Sequence, residues 1–411
     1  MQKLNFINNT KELFIFCVIL TLIFFTSLSF QYKSYEKFTL NSIYKIEAQV
    51  INIYEKDDFN IYKFQTKDFS FFTSTKKDLI LDKLDFVEIS ILTSNISFFK
   101  YLKGFYTKSF NIFILKNNSI KKYLRDKIKS QHNDKDISEV YEAIFLAIPT
   151  SNKLRDIFAV YSISHLIAIS GFHLGVLSFI IYSILYYPYN FFHNRYFPYR
   201  NKKYDILLVV LLILFCYLVF TDLVPSLLRA FVMMLLGVYI LRANIKLISF
   251  ETLLFTLLFI LALFPKYIFS ISLWFSIIGV FYIFLFIKYF QGLNKIFLFM
   301  FFNIWIFASF NPIVHYFFGI TSYIQLISPL ITILFTIFYP LELFLHLIGY
   351  GDFLDSFLSI ALNLKFQSFE VVTPFWFFIT YIVVSLFAIK RKEAFLLLNF
   401  LIVVYNTYLY V

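Results

Sequence analysis

The sequence predicts a mainly α-helical, polytopic membrane protein with about 8–11 membrane helices and a small extracytoplasmic β domain after the first helix. Of its 411 residues, 60% are hydrophobic and 22% aromatic, but only 15% are charged, whereas a soluble chain carries about 25%. Several apolar runs are long enough and sufficiently uncharged to span a bilayer. They lie near 14–30, 205–220, 228–241, 253–264 and 372–389.

Four segments are predicted along the chain. Residues 1–34 form a membrane anchor, and we expect it to stay uncleaved because no small-residue cleavage site follows the first apolar run. Residues 35–117 form the β domain, and residues 118–160 form amphipathic surface helices. The last segment, 161–411, is almost entirely membrane-embedded and forms the polytopic domain.

The β domain is predicted from short runs in which apolar and polar residues alternate, with charged turns between them. This pattern predicts about five antiparallel strands. Five short strands that close on themselves form a small barrel, and the OB-fold is the first choice among such barrels. The runs cover 44–53, 60–65, 69–74, 85–92 and 110–115.

The surface helices begin with a basic, amphipathic stretch. Such a stretch either lies on a membrane surface or simply faces water. Its cations are Lys121, Lys122, Arg125, Lys127 and Lys129.

Basic loops predict the topology, because cytoplasmic loops carry an excess of Lys and Arg. Placing four basic loops in the cytoplasm leaves the β domain outside it. It also requires 321–349 to cross twice or not at all, and Pro340 offers a break between two such passes. The loops contain Arg195, Arg200, Lys202 and Lys203; Arg242 and Lys246; Lys288 and Lys295; and Lys390, Arg391 and Lys392.

The stretch from Tyr161 to Gly175 contains the densest set of polar side chains in the apolar part of the chain. It places His165, Ser170 and His173 at the start of an apolar helix, with the two histidines two turns apart on broadly the same side. Packing bonds between neighbouring helices are one explanation, since membrane bundles use Ser and His in this way. A serine hydrolase is a second explanation, but the first glycine of the nucleophile elbow is absent.

A second polar stretch, from Thr221 to Met233, carries Arg229 about one turn into an apolar segment. A cation in that position suggests a transport pathway or a buried pair, and Asp222 is the nearest candidate partner. The alternative is that the Arg229 side chain extends to the membrane interface. Glu342 and His346 form a weaker intramembrane polar pair of the same kind.

At these residues the chain resembles the ComEC family of bacterial competence proteins. The segment His165-Leu-Ile-Ala-Ile-Ser-Gly-Phe-His173 is similar to the family motif H-L-L-A-I-S-G-L-H. Ser226, Arg229, Ala230 and Met233 fit its S-x-x-R-A-x-x-M pattern. Weaker similarity covers Leu273 to Ser276, and Phe318 to Pro329, where Gln325 replaces the usual Asn. The resemblance covers about 137–349.

The resemblance implies a channel that carries single-stranded DNA across the inner (cytoplasmic) membrane during natural transformation. It implies a ComEA-like DNA receptor outside and a cytoplasmic helicase or DNA-processing protein inside, with membrane lipid around the chain; a homo-oligomer is left open. The residues expected to line the DNA pathway are His165, Ser170, Gly171, His173, Asp222, Ser226, Arg229, Trp274 and Ser276.

The β domain is expected to bind single strands, because surplus Lys and interleaved aromatic rings suit phosphate attraction and base stacking. A purely structural barrel is the alternative. The expected contacts are Tyr54, Tyr62, Lys63, Phe71, Phe72, Lys76 and Lys77.

No enzyme, metal site or cofactor is expected. Many family members carry a metallo-β-lactamase-like domain with an H-x-H-x-D-H signature, and this sequence lacks that signature, so we expect a short form. Cys17 and Cys216 lie in apolar runs and cannot build a disulfide framework or a zinc cluster. The net charge of +12 favours anionic partners, either lipid headgroups or nucleic acid. Two rival functions remain: an intramembrane hydrolase using Ser170 and His173, and a transporter of lipids or lipid-linked saccharides.

Overall fold

The computed structural model describes residues 10–77, 80–115, 119–243, 249–290, 292 and 294–411, and most of them are helical. Lys246, one of the predicted loop cations, lies outside the described residues. The helices are α1 Thr10–Thr39, α2 Phe98–Lys103, α3 Ile120–Lys129, α4 Lys135–Leu146, α5 Asn152–Val160, α6 Ser164–Ile167, α7 Gly171–Tyr196, α8 Lys202–Phe220, α9 Pro225–Ala243, α10 Phe250–Leu263, α11 Ile271–Tyr289, α12 Lys295–Phe317, α13 Ser328–Ile348, α14 Asp355–Asn363, α15 Phe375–Phe387 and α16 Lys392–Tyr410. Short 3-10 helices cover Pro265–Phe269, Tyr323–Ile327 and Gly351–Leu354.

The chain divides into two compact units. In its described parts, the first unit comprises Met1–Asn152, Ile169–Leu247 and Leu254–Trp274. The second comprises Lys153–Ala168, Ile248–Leu253 and Phe275–Val411. The four predicted segments, 1–34, 35–117, 118–160 and 161–411, do not coincide with these units and stay a prediction.

The first unit contains a six-stranded mixed sheet with the order β5-β3-β2-β1-β4-β6. Neighbouring strands are antiparallel, except for the parallel pair of β3 and β5. The five predicted strands are present, but β5 was missed because a two-residue strand has no periodic signal. The sheet is open between β5 and β6, so the closed OB-like barrel stays a prediction. The strands are β1 Ile43–Glu55, β2 Phe59–Gln65, β3 Ser70–Lys76, β4 Phe86–Leu92, β5 Phe105–Tyr106 and β6 Ser109–Leu115.

One face of this sheet encloses an aromatic core. Val50, Phe64 and Val87 point into it and are fully buried. Phe38, near the end of α1, is 1% exposed and lies 4.9 Å from Phe69 between ring centroids. Because α1 contributes a core side chain, the end of this helix packs against the sheet.

Helix α4 differs from the expected surface helix, because every residue from Ile137 to Leu146 is buried. Arg125 on α3 is buried as well, although the sequence suggested a solvated basic face. The hydrogen bonds of its guanidinium explain the burial of Arg125. Nε donates to Glu142 Oε2 over 3.1 Å, and Nη1 donates to the Lys83 carbonyl over 2.9 Å. A paired and hydrogen-bonded cation can be buried at acceptable cost.

A second buried ion pair extends this network. The Lys83 ammonium lies 3.5 Å from Glu139 Oε2 and donates to the Pro149 carbonyl over 2.8 Å. Burial lowers the pKa of Lys83, and the carboxylates of Glu139 and Glu142 oppose that shift. The network joins the segment before β4 to α3 and α4, and so fixes the sheet to these helices.

Replacing Arg125 with Met is expected to destabilise the protein strongly. The Glu142 carboxylate would stay buried without its cation, which typically costs about 3–5 kcal/mol. The thermal transition of the detergent-purified protein measures the effect. Lys45→Met, which breaks the exposed pair with Glu88, should cost only about 0–1 kcal/mol. Equal transitions for the two variants would contradict the buried network.

Seven described helices are long and apolar enough to cross a membrane. Three shorter apolar helices accompany them. The chain is therefore a multi-pass membrane protein, as predicted. The seven are Phe14–Thr39, Gly171–Tyr196, Lys202–Phe220, Ile271–Tyr289, Lys295–Phe317, Tyr323–Ile348 and Lys392–Tyr410, and the shorter ones are Pro225–Val238, Phe250–Leu263 and Phe375–Phe387.

The second unit contains α12, α15 and α16, which are joined by side-chain hydrogen bonds. Trp305 Nε1 donates to Asn399 Oδ1 over 2.8 Å, and Asn311 Nδ2 donates to Asn406 Oδ1 over 2.7 Å. Tyr381 donates to the Ser309 carbonyl over 2.7 Å. Such bonds favour helix association where apolar contact alone gives no preference over lipid.

The expected break at Pro340 does not occur, because α13 continues through this residue to Ile348. Gly349 then ends the helix in the left-handed conformation, with φ of 88°. The chain returns so that β7, Ile320–Thr321, pairs with β8, Phe369–Glu370. The segment before α13 and the segment after α14 are therefore adjacent.

Candidate functional site

The start of α7 is a capping box built from two motif residues. Ser170 is the N-cap, and its Oγ accepts the Phe172 N–H over 3.3 Å. His173 Nδ1 lies 3.2 Å from the Ser170 nitrogen and accepts its N–H. His173 is fully buried. Ser170 and His173 thus begin the helix at Gly171, so these two residues lie at a helix start as predicted.

His165 lies on a separate helix, α6, and the two-turn relation to His173 is therefore wrong. Ala168 is extended, so the helix is interrupted between the two histidines. His165 belongs to the second unit, where its Nε2 lies 3.3 Å from Thr332 Oγ1. Thr332 in turn donates to the Ser328 carbonyl of α13.

Helix α9 packs closely against the start of α7. Ser226 Oγ donates to the Ile169 carbonyl over 2.7 Å and holds the chain just before the α7 N-cap. An ideal Cβ on Gly171 would lie 3.1 Å from Arg229 Nη2 and 3.3 Å from Ala230 Cβ. Glycine favours this close approach, because an added Cβ would force the neighbouring atoms to move by a few tenths of an ångström and a larger side chain would displace the guanidinium.

The Arg229 guanidinium consequently lies beside the N-terminus of a 26-residue helix. Arg229 is partly buried, and its Nη1 is 3.6 Å from Met233 Sδ on the same helix. A helix N-terminus carries roughly half a positive charge. Arginine and helix N-terminus together form an electropositive region suited to phosphate or carboxylate.

The turn before α9 is held from two sides. Asp222 and Leu223 adopt left-handed φ values of 60° and 54°, which non-glycine residues seldom take. The Asp222 carboxylate accepts from Lys121 over 2.5 Å, and Tyr267 donates to the Leu223 carbonyl over 2.8 Å. The structure thus gives Asp222 a partner on α3, whereas the sequence suggested Arg229.

The two remaining pathway candidates lie at the start of α11. Trp274 Nε1 donates to the Ile268 carbonyl over 2.9 Å, and 38% of the residue is exposed. Ser276 is half-buried and belongs to the second unit. Their place in a pathway stays a prediction.

The sheet divides the seven predicted DNA contacts into two groups. Tyr62 and Phe71 are at most 1% exposed and belong to the aromatic core, so they cannot stack with bases. On the opposite face, Tyr54 and Phe72 lie 6.3 Å apart between ring centroids, and Lys63 Nζ lies 5.5 Å from the centre of the Phe72 ring. These three residues form the outer aromatic face. Lys76 and Lys77, at the end of β3, are exposed.

Substitutions at the capping box separate a structural role of Ser170 from a catalytic one. Asparagine also caps helices well, whereas alanine costs about 1 kcal/mol. We expect Ser170→Asn to retain function and Ser170→Ala to lose stability, measured as DNA uptake and thermal transition. His173→Gln should also retain the box, because glutamine is a normal residue at its third position.

A nucleophilic serine would give a different pattern. Ser170→Asn would then lose activity as completely as Ser170→Ala, although its thermal transition stays normal. Protein level measured by immunoblot serves as the control for both variants.

The long apolar helices define a multi-pass membrane protein. A family model described as "Competence: Competence protein" matches residues 150–410, which is more than half of the chain. The chain therefore belongs to the competence protein family, and the resemblance to the ComEC family is confirmed. Its role is in DNA uptake, with DNA as the substrate. No curated protein and no solved structure matches the chain.

Proposed function

We propose that this chain is the channel through which single-stranded DNA crosses the cytoplasmic membrane during natural transformation. The observation that carries the proposal is the position of Arg229 beside the capped N-terminus of α7, within the apolar part of the first unit. A cation inside a membrane segment is costly and marks an ion or substrate pathway by default.

The chemistry of this region fits a polyanion. A phosphodiester presents one negative charge per nucleotide, and a guanidinium binds phosphate oxygens through two parallel N–H donors. Gly171 leaves room for the guanidinium beside the helix start, and Ser170 and His173 hold that start in place. The contact is with the backbone and not with base edges, so transport would be independent of sequence.

The Ser170–His173 distance also permits the rival hydrolase. Ser170 Oγ lies 3.2 Å from His173 Nδ1, which is within reach of proton transfer. Both atoms, however, already serve the capping box, since Oγ accepts the Phe172 N–H and Nδ1 accepts the Ser170 N–H. A structural role explains this geometry, so we propose that the chain is not an enzyme.

We propose further that the sheet is an OB-like domain on the extracytoplasmic side and that it receives the strand there. The strand pairings support an OB-like path: β1 pairs with β2 and β4, β3 pairs in parallel with β5, and β6 follows β5 after two residues and pairs with β4. Thr73 Oγ1 of β3 also lies 2.7 Å from Ser109 Oγ of β6. These contacts favour curvature towards closure.

The outer aromatic face is expected to bind single strands weakly and without sequence preference. Base stacking on an aromatic ring contributes about 1–3 kcal/mol per base, so Phe72→Ala should weaken binding by about tenfold or more. Lys63→Ala should reduce the dependence of binding on salt, because one phosphate contact is lost. Fluorescence anisotropy with a labelled oligothymidine measures both effects on the full chain in detergent.

The control for this measurement is Tyr123→Ala, which removes an exposed ring from α3 and not from the sheet. It should bind the oligothymidine as the unaltered protein does. Binding that is unchanged by Phe72→Ala and Tyr54→Ala would leave the sheet without a role in DNA contact.

The experiment that tests the proposed function follows labelled DNA into the cytoplasm of a deletion strain. We expect DNA to be captured outside the cell but not to reach the cytoplasm, and the intact gene to restore import. A ComEA-like receptor outside and a helicase or DNA-processing protein inside are the proposed partners. Normal import without the chain would exclude the channel and favour transport of lipids or lipid-linked saccharides.

A further inference from the structure

Helix α13 contains a buried carboxylate within a candidate membrane span. Glu342 is 0% exposed, and neither of its carboxylate oxygens has a hydrogen-bond partner among the described residues. Its ion-pair contact in the described structure is with His346, one turn further along, whose Nδ1 lies 3.4 Å from Glu342 Oε2. The same Nδ1 lies 2.8 Å from the Glu342 carbonyl oxygen and donates to it.

This geometry favours a pair that carries a single proton. An isolated carboxylate is strongly disfavoured in an apolar interior, so the pair exists either as neutral acid with neutral imidazole or as carboxylate with imidazolium. Both forms have the same net charge. Loss of the proton would leave an uncompensated negative charge inside the bundle, and regaining it would remove that charge.

The described elements packed against α13 carry few other titratable groups. Helix α6 carries His165, whose Nε2 lies 3.3 Å from Thr332 Oγ1 of α13. Helix α12 carries His315, whose Nδ1 is bonded to the Asn311 carbonyl, and Tyr316. The 3-10 helices on either side carry Tyr323, which is exposed, and Asp352, which is also exposed. On α13 itself, Tyr339 is buried three residues before Glu342.

A proton fits this pair better than a metal ion. Among the described residues, no group of three His, Cys, Asp or Glu side chains is placed to hold a metal. A metal at Glu342 and His346 would therefore have two protein ligands, whereas structural and catalytic zinc sites use at least three. A proton needs only the carboxylate and the imidazole.

We propose that Glu342 and His346 form a proton-binding site that couples proton movement to DNA import. The proposal rests on the proposed channel function. In each cycle a proton from water on one side of the membrane adds to a Glu342 carboxylate oxygen and later leaves to water on the other side; no bond other than O–H or N–H changes, and nothing is oxidised. The negative charge that appears when the proton leaves gives the bundle two states with different electrostatics.

The test uses the full chain in liposomes that contain a pH-sensitive dye, with single-stranded DNA outside and a potassium diffusion potential across the membrane. We expect wild-type protein to acidify the lumen and Glu342→Gln, which resembles the protonated acid in shape, to abolish that flux. In cells, the same variant should lower import of labelled DNA by about 100-fold, the upper end of typical coupling between two sites. Glu342→Asp should retain part of both signals.

Asp352→Asn is the matched control, because it removes an exposed carboxylate that follows the same helix; it should leave both signals unchanged. Wild-type proton flux and import in Glu342→Gln would overturn the proposal, and so would loss of import with unchanged flux. Zinc binding that Glu342→Gln abolishes, without any proton flux in the wild type, would replace the proton by a metal. A deletion strain that imports DNA normally would refute the channel itself. If the deletion blocks import but Glu342→Gln imports DNA normally, only the coupling is refuted.

Discussion

Replacing Arg229 with glutamine is expected to lower import of DNA into the cytoplasm by about 10- to 100-fold, because a hydrogen bond to a charged group contributes about 1.5–3 kcal/mol. Protein level and membrane insertion should stay normal, since glutamine is tolerated in a membrane helix at lower cost than arginine. Uptake of labelled DNA, separated into surface-bound and internal fractions, measures the effect. The surface-bound fraction should be unchanged.

Arg229→Lys distinguishes two ways in which the cation acts. Lysine keeps the charge but presents a single ammonium in place of two parallel donors. Substantial import in this variant would mean that charge alone attracts the phosphates. Loss of import comparable with Arg229→Gln would mean that the planar, two-pronged contact is required.

The matched control for Arg229 is Arg195→Gln. Arg195 lies in the last turn of α7 and is exposed. The substitution therefore removes the same charge without affecting the start of the helix. We expect wild-type import. Equal loss in both variants would indicate that overall charge controls uptake, and normal import by Arg229→Gln would make Arg229 a packing residue.

The sequence correctly predicted local features of the site. Ser170 and His173 were predicted at the start of an apolar helix, and they lie at the start of α7, where Ser170 is the N-cap, a role that was not predicted. The position of Arg229 one turn into its helix follows from Pro225, which suits the first turn. These features depend on neighbours in the chain, so residue type and spacing are sufficient to find them.

Contacts between distant segments could not be predicted in this way. Asp222 pairs with Lys121, 101 residues away, and Arg125 pairs with Glu142 between two helices. The faces of the strands were also ambiguous, because alternation defines two faces without saying which is buried. A register shift between Val50 and Asn52 complicates the assignment further. Tyr62 and Phe71 were therefore predicted as DNA contacts, although both belong to the core.

The close approach of Gly171 to Arg229 leads to the second prediction of a large effect on DNA import. Gly171→Val is expected to reduce DNA import by about 10- to 100-fold, because forcing extra carbon atoms into a packed contact costs about 1–3 kcal/mol. The Cβ alone would lie 3.1 Å from Arg229 Nη2, and the branched methyl groups would occupy the space of the guanidinium. Gly171→Ala should have a smaller effect, since the flexible end of Arg229 needs to move only a few tenths of an ångström.

Gly175 supplies a control on the same helix, one turn further along. A Cβ added there would meet no atom within 4 Å, so Gly175→Val has the same chemical change without the clash. We expect it to import DNA normally, as measured with the same labelled substrate and at the same protein level. If both valine variants lose DNA import, the cause is the β-branched residue in the helix. If both import DNA normally, Arg229 can function away from the α7 N-terminus, and the electropositive region would lose its assigned place in the pathway.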